Sequence, residues 1–442
     1  MKNNLAARLS VISNTLTRTD SSQTFGRLTQ INGMVLSVIG GEYTLGKSYQ
    51  VENAQGKWIQ AQVIGFNGDT AYLMPLEHVD GISTNARVKA TSHKQRLYIG
   101  EELLGRVIDG LGKPIDNKGE FSHSDPIDPS HTLLNPLEKD KVRGVLDVGI
   151  RALNGLFTVG MGQRLGLFAG SGVGKSKLLG MITRFTSADI VVVGLVGERG
   201  WEVREFIEDS LGEEGLAKSI VIAAPADVSP LMRMKCAENA HVIANWFRDQ
   251  GKNVLLLVDS LTRYAQAQRE IALSAGEPPA TKGYPPSVFG KLTRLVEMAG
   301  NSVHSEGSMT AIYTVLAEGD DQQDPIVDGA RAILDGHVVL SRVLAEQGHY
   351  PAIDIGASIS RVMPNIVAED QLKACYLLKR LYSKYKQVEE LIPLGAHQSG
   401  KDLEMDKAVN LYPNICQFLT QSLNEKVDFH DSSTQLRALV EA

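Results

Sequence analysis

Apolar positions along the 442-residue chain change their period from one region to the next, and each period predicts a different kind of element. Leu5, Leu9, Ile12 and Leu16 recur at helical spacing, with Lys2, Arg8 and Arg18 among the polar positions, so residues 1–25 read as an N-terminal helix. The stripe suits a helix packed on its own domain as well as a short helix that docks on a partner or a membrane surface. From about Gly26 to Lys94 the period drops to two. Ile59, Ala61 and Val63 alternate with Trp58, Gln60 and Gln62, and Asn67-Gly68-Asp69 turns the chain into another strand through Tyr72 and Leu73. Short strands broken by turns predict a small β-barrel over residues 26–94.

Beyond Leu97 the texture changes through Gly105, Gly110, Gly112 and Pro114, and the stretch from Pro126 to Pro136 predicts an extended connector. Near-continuous apolar runs follow at Arg164 to Phe168, Ile190 to Val196, Ile220 to Ala223, Val254 to Val258 and Thr310 to Val315. Runs of this length suit parallel strands covered by helices on both faces. A helix between the third and fourth is punctuated by Ser229 as N-cap, Pro230 at its first position and Gly251 beyond its end. From Glu369 the helical period dominates. Leu378, Leu381, Tyr385 and Val388 form one stripe, Pro393 and Gly395 break it, and Ile415, Leu419 and Leu423 begin another, which predicts a C-terminal helical domain over residues 369–442.

Composition narrows the picture. With 43% hydrophobic and 22% charged residues the chain is neither wholesale disordered nor a membrane bundle, and no run supplies the ~18 apolar residues of a membrane span. Lys plus Arg total 45 against 51 acids, a net charge of −6, which opposes a general polyanion binder. Cys236, Cys375 and Cys416 are odd in number and lie in helical patterns, so reduced thiols and a cytoplasmic setting are expected. Residues 1–20 lack the apolar core and cleavage site of a secretory signal.

Candidate chemistry begins where the strand Arg164 to Phe168 runs into Ala169-Gly170-Ser171-Gly172-Val173-Gly174-Lys175-Ser176-Lys177 and then an apolar helix. In this strand-loop-helix setting the glycines turn backbone N–H groups around phosphate oxygens, Lys175 reaches the β- and γ-phosphates, and Ser176 offers a hydroxyl to Mg²⁺. Ala169 stands where the strict pattern has glycine, a slot that tolerates alanine at ordinary backbone angles. Asp259 ends the run Val254 to Val258 and is the candidate acid on the metal side of the site. Gly197-Glu198-Arg199 ends another strand at the edge where open α/β sheets bind ligands. Glu198 is thus a candidate general base and Arg199 a candidate charge stabiliser, although spacing alone suits a surface ion pair equally well.

These residues also carry a resemblance covering nearly the whole chain. The barrel, the phosphate loop, Gly197-Glu198-Arg199, and above all Pro351-Ala352-Ile353-Asp354 with Ser358-Ile359-Ser360-Arg361, resemble the rotary ATP synthase α/β subunit family. The stretches Gly276 to Phe289 and Glu318 to Pro325 are similar to the branch of that family serving flagellar type III protein export; virulence secretion ATPases are related but usually differ in the phosphate loop and at Gln322 and Gln323. The resemblance implies an α/β P-loop NTPase core, mostly parallel and RecA-like, spanning residues 95–368 between the barrel and the helical domain. It implies ATP and Mg²⁺, with Glu198 as the catalytic glutamate, Asp259 on the metal side and Arg263 in the catalytic pocket. Tyr350 would stack on adenine, and Arg361 would be an arginine finger reaching into a neighbouring subunit.

Further implications concern partners. One chain holding both Glu198 and Arg361 implies a homohexamer in which each interface is a complete site, energising delivery of flagellar export substrates. The loop Asp320 to Asp324 corresponds to one facing a central stalk protein, and the Leu5 to Leu16 stripe to a segment that binds a regulatory partner and touches membrane lipid. Export gate and substrate-chaperone complexes are the remaining implied partners, with the protein cytoplasmic and peripheral to the inner membrane at the flagellar base. Trp201 departs from the arginine usual in the family. A ring-shaped RNA translocase would use Tyr43, Trp58, Phe66 and Tyr72 as stacking aromatics, but the acidic balance and the helical C-terminus oppose it. Trp201 leaves room for a silent nucleotide-binding scaffold, a reading that Lys175, Glu198 and Asp259 together oppose.

Overall fold

Alternation becomes curvature in the first part of the chain. The computed structural model describes residues 24–77, 79–91, 96–121, 125–127, 134–317, 321, 323–392 and 400–441, so the N-terminal stripe lies outside the described residues. These fall into two units divided after residue 95. In the first, strands β1 (Gly26–Asn32), β2 (Val35–Ile39), β3 (Ser48–Glu52), β4 (Trp58–Asn67), β5 (Thr70–Pro75) and β6 (Arg87–Ala90) close a barrel in the order β1-β2-β5-β4-β3-β6. Inward positions at period two, Val51, Ala61, Val63, Leu73 and Val88 among them, fill its core. Gly68, at φ +56°, makes the tight β4–β5 turn that pairs Asn67 with Thr70.

The second unit is built on a sheet. Strands β7 (Arg106–Asp109), β8 (Arg164–Ala169), β9 (Ile190–Val196), β10 (Ser219–Ala224), β11 (Asn253–Asp259), β12 (Ser308–Leu316), β13 (Gly336–Leu340) and β14 (Ile353–Ser360) lie in the order β14-β13-β8-β12-β11-β9-β10-β7. All neighbours are parallel except β13 and β14. Buried residues fill β9 from end to end, as a strand covered on both faces requires. Helix α1 (Lys175–Phe185) follows β8; α2 (Gly200–Glu205) follows β9; α3 (Pro230–Asp249) precedes β11, and α4 (Leu261–Ser274) follows it. The Ser229 side chain accepts from the Met232 N–H at the start of α3.

Helices α5 (Glu369–Val388), α6 (Leu403–Leu419) and α7 (Phe429–Glu441) form the C-terminal region. Leu378, Leu381, Ile415, Phe418 and Leu436 join the same apolar core as Leu156, Phe157 and one face of the sheet. The second helical stripe departs from expectation. Its helix begins at Leu403, carries Pro413 inside and ends at Leu419, and Leu423 lies beyond it with 47% of its surface exposed. Thr420 has left the helical conformation, so the stripe cannot continue to Leu423.

Leu378 is fully buried where α5 meets this core. Leu378→Ala should therefore lower the unfolding free energy of the sheet-bearing unit by about 2–5 kcal/mol in a denaturant titration, the range for removing a large aliphatic side chain.

Candidate active site

Strand order brings the candidate chemistry together. The loop after β8, Asp259 at the end of β11 and Glu198 after β9 all leave the carboxyl edge of strands lying within one run, β8-β12-β11-β9. Ala169 closes β8 as an ordinary strand residue, Gly172 takes φ +78° and Gly174 φ +89°, so the loop turns tightly into α1. Those glycines leave backbone N–H groups and the positive end of an 11-residue helix at one place, an anion-binding arrangement. Gly170, Ser171, Gly172, Gly174, Ser176 and Lys177 line a cavity of 580 Å³ together with Glu198, Arg199 and Arg263, while Val173 is buried beneath the loop.

Lys175 ties the site together. Its Nζ donates to Asp259 Oδ1 at 2.6 Å and lies 3.4 Å from Glu198 Oε1. Burial weighs against its charge, but Asp259 and Glu198 outweigh it and hold the ammonium above its ordinary pKa. Asp259 is positioned by Thr314 on β12, whose hydroxyl donates to the same Oδ1 at 2.6 Å. The Glu198 carboxyl is pushed up to about 7 by burial and the charge of Asp259; Lys175 opposes the shift, and Glu202, hydrogen-bonded to it, adds to it. Gly197 aims Glu198 at this point: it sits at φ +69°, and a Cβ there would meet the Arg263 side chain at 3.1 Å.

Other expected residues occupy different places. Arg199 is open to solvent, 3.9 Å from Glu202, and Arg263 lines the cavity with one guanidinium N–H on Gln266 and a buried Nε without a partner. The Tyr350 ring lies beside the loop, 3.3 Å from where a Gly174 Cβ would stand, and its carbonyl accepts from the Gln421 N–H after α6. Ser176 and Asp259 offer hard oxygen donors beside the loop. A hydroxyl and a carboxylate are the kind of hard oxygen donors that hold Mg²⁺ together with substrate phosphates.

Arg361 is not in this cavity. β14 runs antiparallel to β13, Ser360 pairs with Gly336 at the start of β13, and the Arg361 N–H donates to Asp335. Asp335 in turn bonds Arg164, the first residue of β8, whereas the phosphate loop follows its last residue, Ala169. Five residue steps at ~3.3 Å put roughly 17 Å of strand between the two ends. The guanidinium donates to the carbonyls of Leu334 and Arg331 and lines a separate 820 Å³ cavity.

Sequence reading missed Thr314, Glu202 and Arg342, the last two also lining the site cavity. Thr314 reads as a β-branched strand former. Glu202 stands four residues after Glu198, a helical spacing that was available as a signal. Among the described residues no helix is long and apolar enough to cross a membrane.

Comparison with known proteins bears on these residues. The chain matches the ATP synthase alpha/beta family nucleotide-binding domain over residues 149–360 and the family's beta-barrel domain over residues 28–92. Residues 367–438 match the T3SS EscN ATPase C-terminal domain. It is 55% identical over 418 residues to a Pseudomonas aeruginosa protein described as a flagellum-specific ATP synthase, covering 94% of this chain and 93% of that one. The assembled ATPase EscN of the enteropathogenic E. coli type III secretion system superimposes with a TM-score of 0.89 at 42% identity, covering 94% of this chain and all of that one. EscN in complex with its central stalk EscO gives a TM-score of 0.86 at 41% identity, with the same coverage.

The raised Glu198 carboxyl has a kinetic consequence if it must be ionised to work. kcat/KM for ATP should fall as pH drops through about 7, where Glu198 takes up its proton. Glu202→Gln removes one negative neighbour, lowers that pKa and moves the acid limb to more acidic pH. A limb unmoved or moved upward in the pH profile would separate the limb from Glu198.

Proposed function

The chain belongs to the ATP synthase α/β family, and from that premise we propose that it is a homohexameric ATPase of the flagellar type III export apparatus, hydrolysing ATP to energise delivery of export substrates. The observation that carries the hydrolytic reading is Lys175 bridging Asp259 and Glu198 at the mouth of the phosphate loop. The flagellar branch is supported by 55% identity over 94% of the chain, against 42% to the virulence-type EscN. The secretion-type C-terminal match over residues 367–438 favours protein export over RNA translocation.

In the reaction the loop residues Gly170 to Lys177 hold the triphosphate through backbone N–H groups, and Lys175 turns from the carboxylates to the β- and γ-phosphates. Ser176 and Asp259 would hold Mg²⁺, which would supply neutralising charge to the phosphates. Glu198, released from Lys175, orients water and accepts its proton, and Arg263 and Arg199 face the developing charge. Tyr350 receives adenine. Arg361, level with the start of β8 in its own chain, serves the site of the next subunit. By analogy with EscN and EscO, a central stalk occupies the ring channel near Asp321 and Asp324, and the N-terminal segment takes the regulatory partner and membrane contact.

The shared site has a direct test. Arg361→Ala should bind nucleotide yet hydrolyse it ~10³ to 10⁵ times more slowly, the worth of an arginine finger, and Glu198→Gln should likewise bind without turnover. Mixed in equal amounts, the two should regain activity at up to about one interface in four, where an intact Glu198 meets an intact Arg361. Steady-state ATPase assays across mixing ratios decide it. Inactivity at every ratio, in rings shown to co-assemble and to tolerate a few Glu198→Gln chains among wild type, would place Arg361 within its own chain's site.

A further inference from the structure

The 820 Å³ cavity beside Arg361 is distinct from the phosphate site and lies between β14 and α5. Its charged lining is one-sided. Arg361 and Lys379 meet no carboxylate among the described residues: the Arg361 guanidinium rests on two carbonyls, and the Lys379 ammonium lies 4.1 Å from the Phe157 ring centroid. Burial pulls the Lys379 pKa below its ordinary value, the mark of a cation short of a counter-charge. Lys386, seven residues and two turns further along the same face of α5, lies over the Tyr382 and Tyr412 rings and, among the described residues, pairs with Glu389 three residues away, a contact that exchanges at little cost. The acid in the lining, Asp354, already accepts from the N–H groups of Gly356 and Ala357. Ile359 and Tyr376, large side chains about half exposed, rim the opening.

The chain also holds a surface of opposite character. The segment 200–217, which leaves the phosphate site directly after Glu198 and Arg199, carries Glu202, Glu205, Glu208, Asp209, Glu213 and Glu214 against one cation of its own, Arg204. Arg204 pairs with Glu208, and Lys177 and Arg199 reach Glu205 and Glu202, in exposed contacts that exchange at little cost. It runs through α2, a π-helical stretch Phe206–Leu211 and a helix Gly212–Ala217, and presents Trp201 with 61% of its surface exposed. Resting on the proposed ring, the two surfaces approach each other: wherever Arg361 of one copy serves the site of the next, the near end of segment 200–217, where Glu202 lines that site, faces the cavity.

We propose that the basic cavity of Arg361, Lys379 and Lys386 is the receptor for the acidic segment 200–217 of an adjacent copy of this chain, with Trp201 packed against its apolar rim. The pairing supplies the counter-charge that Lys379 lacks while leaving Arg361 for the neighbouring phosphate site, and it buries an exposed tryptophan, the residue type that most often anchors an interface. Opposed charge also fixes register, so that Arg361 is delivered to a phosphate site and not elsewhere.

Charge exchange tests this on the full-length chain. Lys379→Glu/Lys386→Glu makes the cavity acidic, and Glu208→Lys/Glu213→Lys makes the segment basic. Each protein alone, followed by sizing with light scattering over a concentration series in the presence of MgATP, should need at least about ten times more protein for half-assembly than wild type, because like charges now face each other. Mixed one to one they should assemble like wild type in alternating order, since each acidic cavity then meets a basic segment and each basic cavity an acidic one. Recovery on mixing also proves that both variants are folded. Lys386→Glu alone, at a more accessible position, should show a smaller weakening of the same sign. Wild-type tryptophan emission should shift to shorter wavelength on assembly, and Trp201→Phe should abolish that shift. Cavity or segment variants that assemble like wild type, or single-face variants that mixing fails to rescue, would overturn the pairing while leaving the ring intact. A wild-type chain that forms no ring at any concentration would instead overturn the oligomeric reading on which it rests.

Discussion

An ammonium held between two carboxylates at the carboxyl edge of a parallel sheet is the arrangement on which the rest of this structure depends, because each of those charges costs several kcal/mol to bury without the others. Lys175, Glu198 and Asp259 retain only 13%, 13% and 5% of their side-chain exposure. Their proximity demands that β8, β11 and β9 end at the same level, and the interposed β12 supplies the Thr314 hydroxyl that fixes Asp259. It also favours glycine at 197, where φ of +69° strains any other residue and a Cβ would press on the Arg263 side chain at 3.1 Å. Burial first, and then the negative charge of Asp259 that one cation does not fully offset, raise the Glu198 pKa. The cluster is therefore compact but unsaturated, and the proposed reaction uses this: Lys175 would exchange its carboxylate partners for phosphate, and Glu198 would then take a proton from water.

How much of this could be read from the residues follows from the range of each signal. The phosphate loop is legible because its demands are local: positive φ at Gly172 and Gly174, a lysine and a hydroxyl at a helix start, all within nine residues. Fully buried strands such as β9 announce themselves by apolar runs. Three strands near the sheet edges do not: β7 begins with Arg106 and ends with Asp109, β13 begins Gly336-His337, and β14 interleaves Asp354, Gly356 and Ser358 with apolar residues. Thr314 was illegible for another reason, since one threonine in an apolar strand is a good strand former whatever its hydroxyl does. Leu423 marks the opposite error, a helical spacing continued beyond the turn that ended the helix.

The placement of Arg361 is where topology constrains function most tightly. Had β14 run parallel to β13, Arg361 would follow the same sheet edge as the phosphate loop and could be imagined serving its own chain. The antiparallel turn instead returns it to the level of Arg164, at the opposite end of β8. An arginine so placed is either a structural clamp on the carbonyls of Leu334 and Arg331 or a group offered to another molecule. Its surroundings favour the second, because a clamp needs no cavity of 820 Å³ beside it and no second cation that, among the described residues, meets no carboxylate. A charge deficit of that kind is unfavourable in an isolated chain and is relieved by an acidic visitor. The chain's own acidic segment begins at the rim of the one site an arginine finger would have to reach. On the proposed reading the two halves of the catalytic apparatus lie on faces of opposite charge, so the active site is completed only when one copy meets another.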